Sequence, residues 1–223
     1  MSIIIGNNNS NILNGTNNAD IILGNNGNDT ISGGGGSDLI DGGNGNDTIN
    51  GGAGSDLISG GNGNDTVDGG TGNDIIDGGN GNDTLNGGAG SDLIFAGKGD
   101  DVIIHDATEA NGIGDYYDGE QGRDTLRLIV SQSIYNSTAF QTELARFQSM
   151  INLKGTVSGT FNTLDFAFSS IERIEVVIKA PSNQAPTMSG SVAAADEDGP
   201  AINVNLAALG NDADSDDDGA SLT

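Results

Sequence analysis

Nine aspartates stand at strict intervals of nine: Asp29, Asp38, Asp47, Asp56, Asp65, Asp74, Asp83, Asp92 and Asp101. Each closes a glycine-rich turn that reads, with few exceptions, G-G-x-G-x-D. A carboxylate is a hard oxygen donor. Glycine lets the backbone swing further carbonyl oxygens toward the same point. Calcium takes about six to eight such oxygens, so one turn with one Asp is too few and a second turn must complete the site. The candidate carbonyl donors lie at the first and third positions of the turns. They are Gly24 and Asn26, Gly33 and Gly35, Gly42 and Asn44, Gly51 and Ala53, Gly60 and Asn62, Gly69 and Thr71, Gly78 and Asn80, and Gly87 and Ala89.

The elements that must position these groups follow from the period. From Gly24 to Ile104 the chain is an uninterrupted series of nine-residue units, the signature of a solenoid. After each turn comes a short strand whose side chains alternate faces. The eighth position is aliphatic throughout: Ile31, Ile40, Ile49, Ile58, Val67, Ile76, Leu85, Ile94 and Ile103. That column points inward, and positions seven and nine point outward.

Odd units mostly read GNGNDT and even units GxGSDL, which makes an 18-residue super-repeat at 24–41, 42–59, 60–77 and 78–95. One coil therefore holds two units, with turns stacked on two opposite edges. Asp29 should share an ion with Asp47, Asp47 with Asp65, Asp65 with Asp83 and Asp83 with Asp101. On the other edge Asp38 pairs with Asp56, Asp56 with Asp74 and Asp74 with Asp92. The count is about seven calcium ions, each held by both turns. The alternative is a metal-free ladder of Asn/Asp-Gly turns, in which aligned carboxylates would repel one another.

The pattern G-G-x-G-x-D-x-U-x, with U a large aliphatic residue, resembles the RTX (hemolysin-type) calcium-binding repeat of proteins exported by bacterial type I secretion. The resemblance implies a right-handed parallel β-roll with ligands shared between turns and an extracellular or cell-surface location. Composition agrees with a cation partner. The chain carries 32 Asp+Glu against 7 Lys+Arg, a net charge of −25, which repels nucleic acid and attracts counter-ions. The interior offers one aliphatic residue per unit. Burying it yields less than ordering nine backbone residues costs, so an added source of free energy is needed. Cysteine is absent, which excludes disulfides. The first residues, MSIIIGNNNSN, have no basic segment, and no Sec signal peptide is expected. No apolar run reaches membrane-spanning length.

The fold class is all-β, with a small α+β flank. Residues 1–127 form the roll, with worn repeats at 6–23, strict repeats at 24–104 and a last copy, GEQGRDTLR, at 119–127. In that copy Asp124 takes the metal position, and Arg123 beside it argues for weaker binding. The segment from His105 to Asp118 reads as a loop. Residues 128–180 form a capping flank. Its helix is expected over 138–151, with Thr138 and Gln141 as a capping box, and strands around 156–158, 164–168 and 174–178.

Residues 181–187 read as a linker. Residues 188–223 resemble the start of a cadherin-like tandem domain, an incomplete β-sandwich, so a longer protein is expected. The run Asp214 to Gly219 matches the first half of an EF-hand loop and reads better as an acidic edge of that domain.

Enzyme chemistry finds no support. His105 is the only histidine, too few for a zinc protease helix, and no G-x-S-x-G elbow occurs. Asp41, Asp68 and Asp77, at the ninth position, read as solvated charges. The outward columns differ, Thr30/Thr48/Thr66/Thr84 on one sheet and Leu39/Leu57/Ile75/Leu93 on the other. A threonine array can order ice, but the ice-binding turn T-G-N occurs only at Thr71-Gly72-Asn73. The apolar column should be covered, by the 138–151 helix or by self-association with a second roll. The leading functional reading is a calcium-folded adhesin or structural protein with a cell-surface or matrix ligand. The alternative is the non-catalytic calcium-dependent module of a type I-secreted hydrolase.

Overall fold

The computed structural model describes residues 1–108 and 114–180. The linker and cadherin-like segment of the sequence reading lie outside these residues. The described chain is a β-roll. Its strands, in order, are β1 Ile3–Ile5, β2 Ile12–Asn14, β3 Ile21–Leu23, β4 Thr30–Gly35, β5 Leu39–Asn44, β6 Thr48–Ala53, β7 Leu57–Asn62, β8 Thr66–Thr71, β9 Ile75–Asn80, β10 Thr84–Asn86, β11 Leu93–Phe95 and β12 Val102–Asp106. Then come β13 Asp115–Asp118, β14 Thr125–Ser131, α1 Gln132–Tyr135, α2 Thr138–Lys154, β15 Val157–Phe161, β16 Phe166–Ile171 and β17 Arg173–Lys179.

Odd and even strands separate into two sheets. One runs β1-β3-β5-β7-β9-β11-β13-β16-β15 and the other β17-β14-β12-β10-β8-β6-β4-β2. Within the repeats every pairing is parallel and in step by 18 residues, as in Thr30↔Thr48↔Thr66 and Leu39↔Leu57↔Ile75. Two units per coil is thus the observed register. The coil begins at Ile3, ahead of the first worn repeat, because β1 pairs with β3.

The strands β4 to β9 are twice the expected length, since the first three residues of each following turn continue the ladder. This extension keeps the alternation of faces. The eighth position is inward, the ninth outward and the first-position glycine inward again. The interior is two facing columns of side chains, Ile22, Ile40, Ile58, Ile76 and Ile94 from one sheet and Ile31, Ile49, Val67, Leu85 and Ile103 from the other, all buried.

The loop expected from His105 to Asp118 is replaced by structure at both ends. β12 runs on through His105 to Asp106, and β13 begins at Asp115. Asp115-Tyr116-Tyr117-Asp118 is a worn D-x-U-x with an aromatic residue in the inward place. Tyr117 stacks in register on Ile94, and its ring lies 5.3 Å from that of Phe166. From there the core turns from aliphatic to aromatic.

The flank is joined to the roll through both sheets. β16 pairs in parallel with β13, β17 pairs in parallel with β14, and β15 closes the edge antiparallel to β16. The α2 helix lays Phe140, Leu144 and Phe147 over this end, with Phe147 4.9 Å from both Phe161 and Phe168. The helix starts one residue earlier than a Thr138 cap would place it. Ser137 caps it by accepting from the Phe140 amide, and Gln141 reaches Tyr135 O instead of completing a capping box. Gly155, at φ 82°, ends the helix in the left-handed region. This helix does not cover the apolar column on the outer face: Leu39, Leu57 and Ile75 remain 42–49% exposed.

The adjacent pair Leu57 and Ile58 isolates what holds the coil. Ile58 is fully buried and Leu57 is 49% exposed. Ile58→Ala is expected to cost about 2–5 kcal/mol through a cavity that stacked coils cannot close. Leu57→Ala should stay within about 0.5 kcal/mol. Urea unfolding of the two variants under identical conditions measures the difference.

Candidate metal centre

The turn aspartates sit on two edges in two columns. Asp29, Asp47, Asp65, Asp83 and Asp101 form one; Asp38, Asp56, Asp74 and Asp92 form the other. All are 1–4% exposed. Each is tied to its neighbour one coil away by a repeated bond. The Asp29 amide donates to Asp47 Oδ1 at 2.7 Å, Asp47 to Asp65 at 2.7 Å and Asp65 to Asp83 at 2.8 Å. The other column repeats it from Asp38 to Asp56 and from Asp56 to Asp74.

The second oxygen of each carboxylate is the telling one. Oδ2 of Asp29, Asp38, Asp47, Asp56, Asp65, Asp74, Asp83, Asp101 and Asp124 is buried with no hydrogen-bond partner. A buried charged oxygen without a partner is costly, and a native fold does not repeat that error in register without a ligand. Around it lies a small cradle. A methyl placed on Gly60 would sit 2.6 Å from both Asp65 Oδ2 and Gly78 O. The same pairing recurs at Gly42, beside Asp47 Oδ2 and Gly60 O. The first-position glycine is therefore required for space, not for its backbone angles. Its side-chain volume is ceded to oxygens from its own turn and from the next one.

Of the carbonyls singled out by spacing, the first-position ones of Gly42, Gly51, Gly60, Gly69, Gly78 and Gly87 face such a cradle in the preceding turn, while that of Gly24 lies with the Asn11 amide oxygen at Gly6 and that of Gly33 lies against Gly15. The third-position carbonyls are engaged in the ladder: Asn44, Ala53, Asn62, Thr71, Asn80 and Ala89 accept the amides of Gly27, Gly36, Gly45, Gly54, Gly63 and Gly72. Asn26 and Gly35 occupy the same register position through Asn26↔Asn44 and Gly35↔Ala53. At the second and fourth positions glycine meets its other role. Gly61 and Gly63 hold φ of 107° and 126° and lie against the backbone of Gly43 and Gly45.

Burial acts on these carboxylates before any cation does. It is the largest influence on Asp65, Asp74 and Asp101, which are pushed up to about 7. Repulsion from neighbouring carboxylates adds to it, and the donated amide works against it. Asp92 and Asp124 rise to about 6. Asp20, in the worn repeat, goes the other way, to about 2, because the Thr16 hydroxyl and amide both donate to its Oδ2.

Among the described residues no three His, Cys, Asp or Glu side chains converge. Each candidate site is two carboxylates from successive turns plus carbonyl oxygens. That donor set suits calcium and is wrong for zinc or copper. Residues 5–40, 41–76 and 77–107 match the family model of the RTX calcium-binding nonapeptide repeat, which spans four copies. The array carries the RTX repeat. No curated protein matches the chain. The RTX repeat is a calcium-binding structural module, not a catalytic one.

Two functional residues escaped the spacing argument. Asp115 continues the Asp92 column, accepting the Asp92 amide at 2.9 Å, although it follows by 23 residues rather than 18. Tyr117 donates to Asp115 Oδ2 at 2.8 Å, and its oxygen lies 2.8 Å from His105 Nδ1. The available signal was the D-x-U-x frame of 115–118, masked by a tyrosine where an aliphatic residue was expected. Asp124 likewise continues the Asp101 column, receiving the Asp101 amide at 3.0 Å. Arg123 leaves this geometry unaltered, for its side chain is exposed and only its amide joins the ladder, to Asp100 Oδ1. Asp41 and Asp77 are exposed, while Asp68 is half-buried between Asn50 and Asn86.

The raised aspartates set a pH dependence with a definite sign. An ordinary carboxylate titrates near 4, and Asp65, Asp74 and Asp101 titrate near 7 in the folded chain. Between these values the folded state binds more protons than the unfolded one. Without calcium, stability therefore falls as pH rises through that window. Calcium needs the ionised carboxylates, so its affinity rises over the same range. Circular dichroism in chelator is expected to show folded content rising from pH 8 to pH 5. Calcium titrations should show the midpoint moving to higher calcium over the same change.

Proposed function

We propose that calcium binds between successive turns on both edges of the roll and supplies the free energy that folds it. The single observation behind this reading is the register of buried, unpartnered Oδ2 atoms, which from Asp29 to Asp83 share a glycine cradle with a first-position carbonyl of the next turn. The proposed sharing is Asp29 with Asp47, Asp47 with Asp65, Asp65 with Asp83 and Asp83 with Asp101. On the second edge it is Asp38 with Asp56, Asp56 with Asp74 and Asp74 with Asp92. About seven ions result, with ligand oxygens drawn from both turns of each pair.

The calcium-binding repeat is consistent with a secreted, extracellular protein. At low calcium an acidic, glycine-rich array repels itself and stays open, a form suited to threading through an exporter of the type I kind. At high calcium the same carboxylates become ligands, and binding free energy becomes folding free energy. The role we infer is structural, in a surface or matrix adhesin. The supporting feature is the cadherin-like pattern of residues 188–223, since tandem domains of that type build stalks.

Circular dichroism during a calcium titration tests the reading. The chain should be largely unstructured in EDTA and gain β signal cooperatively in millimolar calcium. Equal structure in both conditions would overturn it. Asp65 belongs to two proposed sites, so Asp65→Ala is expected to remove two calcium equivalents by calorimetry. Loss of one alone would contradict the sharing.

A further inference from the structure

We propose that the C-terminal flank holds a calcium site of its own with the roll, formed by Asp124, Ser170 and Glu172, and that this site latches the flank in place. The inference rests on the calcium reading of the repeats, but none of these residues lies in the segment matched by the repeat model, which ends at residue 107.

The end of the roll keeps the contacts of an internal site but builds them from other residues. In each internal site two contacts recur. The amide of one Asp donates to the carboxylate of the next coil, and the Oδ2 of that first Asp faces the first-position carbonyl of the next coil. Both recur at the end of the roll, with different residues. The Asp124 amide donates to Glu172 Oε2 at 2.7 Å. A methyl placed on Gly119 would lie 2.7 Å from Asp124 Oδ2 and also against Ser170 O. Ser170 thus stands where a first-position glycine would be, with φ of 54° in the left-handed region. Gly119 donates its amide to Ser169 O, as first-position Gly24 donates to Asp41 O.

The chain between β16 and β17 is a shortened turn. Gly119 to Asp124 separate Asp118 from Thr125, whereas only Ser170, Ile171 and Glu172 separate their paired positions Ser169 and Arg173. Glutamate, one methylene longer than aspartate, reaches back across the corner. Its backbone is pinned as well, since the Glu172 and Arg173 amides both donate to Asp124 O. Asp124 is 0% exposed, and its Oδ2 has no partner. The opposite edge ends differently, for there Tyr117 fills the Asp115 Oδ2 position with a hydroxyl. At the flank end the Thr156 hydroxyl donates to Glu172 Oε1, and the open oxygen is Asp124 Oδ2.

Glu172→Gln in the full chain tests the site, because the amide oxygen can still accept from Asp124 while the charge is gone. Calcium stoichiometry by calorimetry should fall by one equivalent. Hydrogen exchange over a calcium titration should show protection of β16 and β17 moving to higher calcium, with β5 to β8 unchanged. Asp124→Asn, which also bears on the Asp101 turn, should cost at least one equivalent and shift the same flank protection. Wild-type stoichiometry in both variants, or flank protection that ignores calcium while the repeats respond, would overturn the latch. A wild-type chain that binds no calcium at all would instead refute the calcium reading of the repeats.

Discussion

The structure turns on a column of buried carboxylates that have one partner each and need two. Like charges stacked coil upon coil in a shielded position are a self-destabilising arrangement. Everything else in the roll accommodates that arrangement. Each sheet contributes one inward aliphatic column to the interior, and the ladder hydrogen bonds run between neighbouring coils. Neither can absorb the cost of the columns at neutral pH. In the calcium reading proposed above, whatever neutralises the columns also completes the fold, and the same oxygens serve as its ligands.

That constraint explains why glycine recurs at three places in the unit for two separate reasons. At the second and fourth positions the backbone needs positive φ and lies against the backbone of the next turn. At the first position the angles are ordinary for an extended chain, and the missing Cβ is the cradle itself. The alternation of faces along the strand carries this glycine inward, two residues after the buried aliphatic position. Core and site are thus consecutive inward positions of one strand. A change of register by a single residue would exchange both with the outer face.

Much of this was legible in the sequence, because the period is strict. The 18-residue alternation of GNGNDT with GxGSDL gave the coil, the pairing of Asp29 with Asp47 and the file of inward residues. Legibility failed where the spacing changed but the geometry did not. Asp115, read as part of a loop, keeps its column at a step of 23 residues from Asp92, outside the 18-residue period. Tyr117 was hidden by chemistry: a tyrosine can fill the inward place and also satisfy Asp115, two duties that an aliphatic template does not contain. Glu172 was hidden by both, being distant in sequence and a different residue type. The flank was legible as a cap on the roll, but helix and strand signals are local, and its continuation of both sheets is a long-range pairing they do not contain.

The two edges also end on different chemistry. Unpartnered Oδ2 atoms number six on the edge running from Asp29 to Asp124 and three on the edge running from Asp38 to Asp74, among the described residues. Asp20 and Asp115 on the latter are satisfied by the hydroxyls of Thr16 and Tyr117. Each edge carries six turn aspartates, so ionisation charges the two edges alike. They differ instead in how many carboxylate oxygens are left open to a cation, six against three, so a cation finds more vacant oxygens along one edge of the roll than along the other.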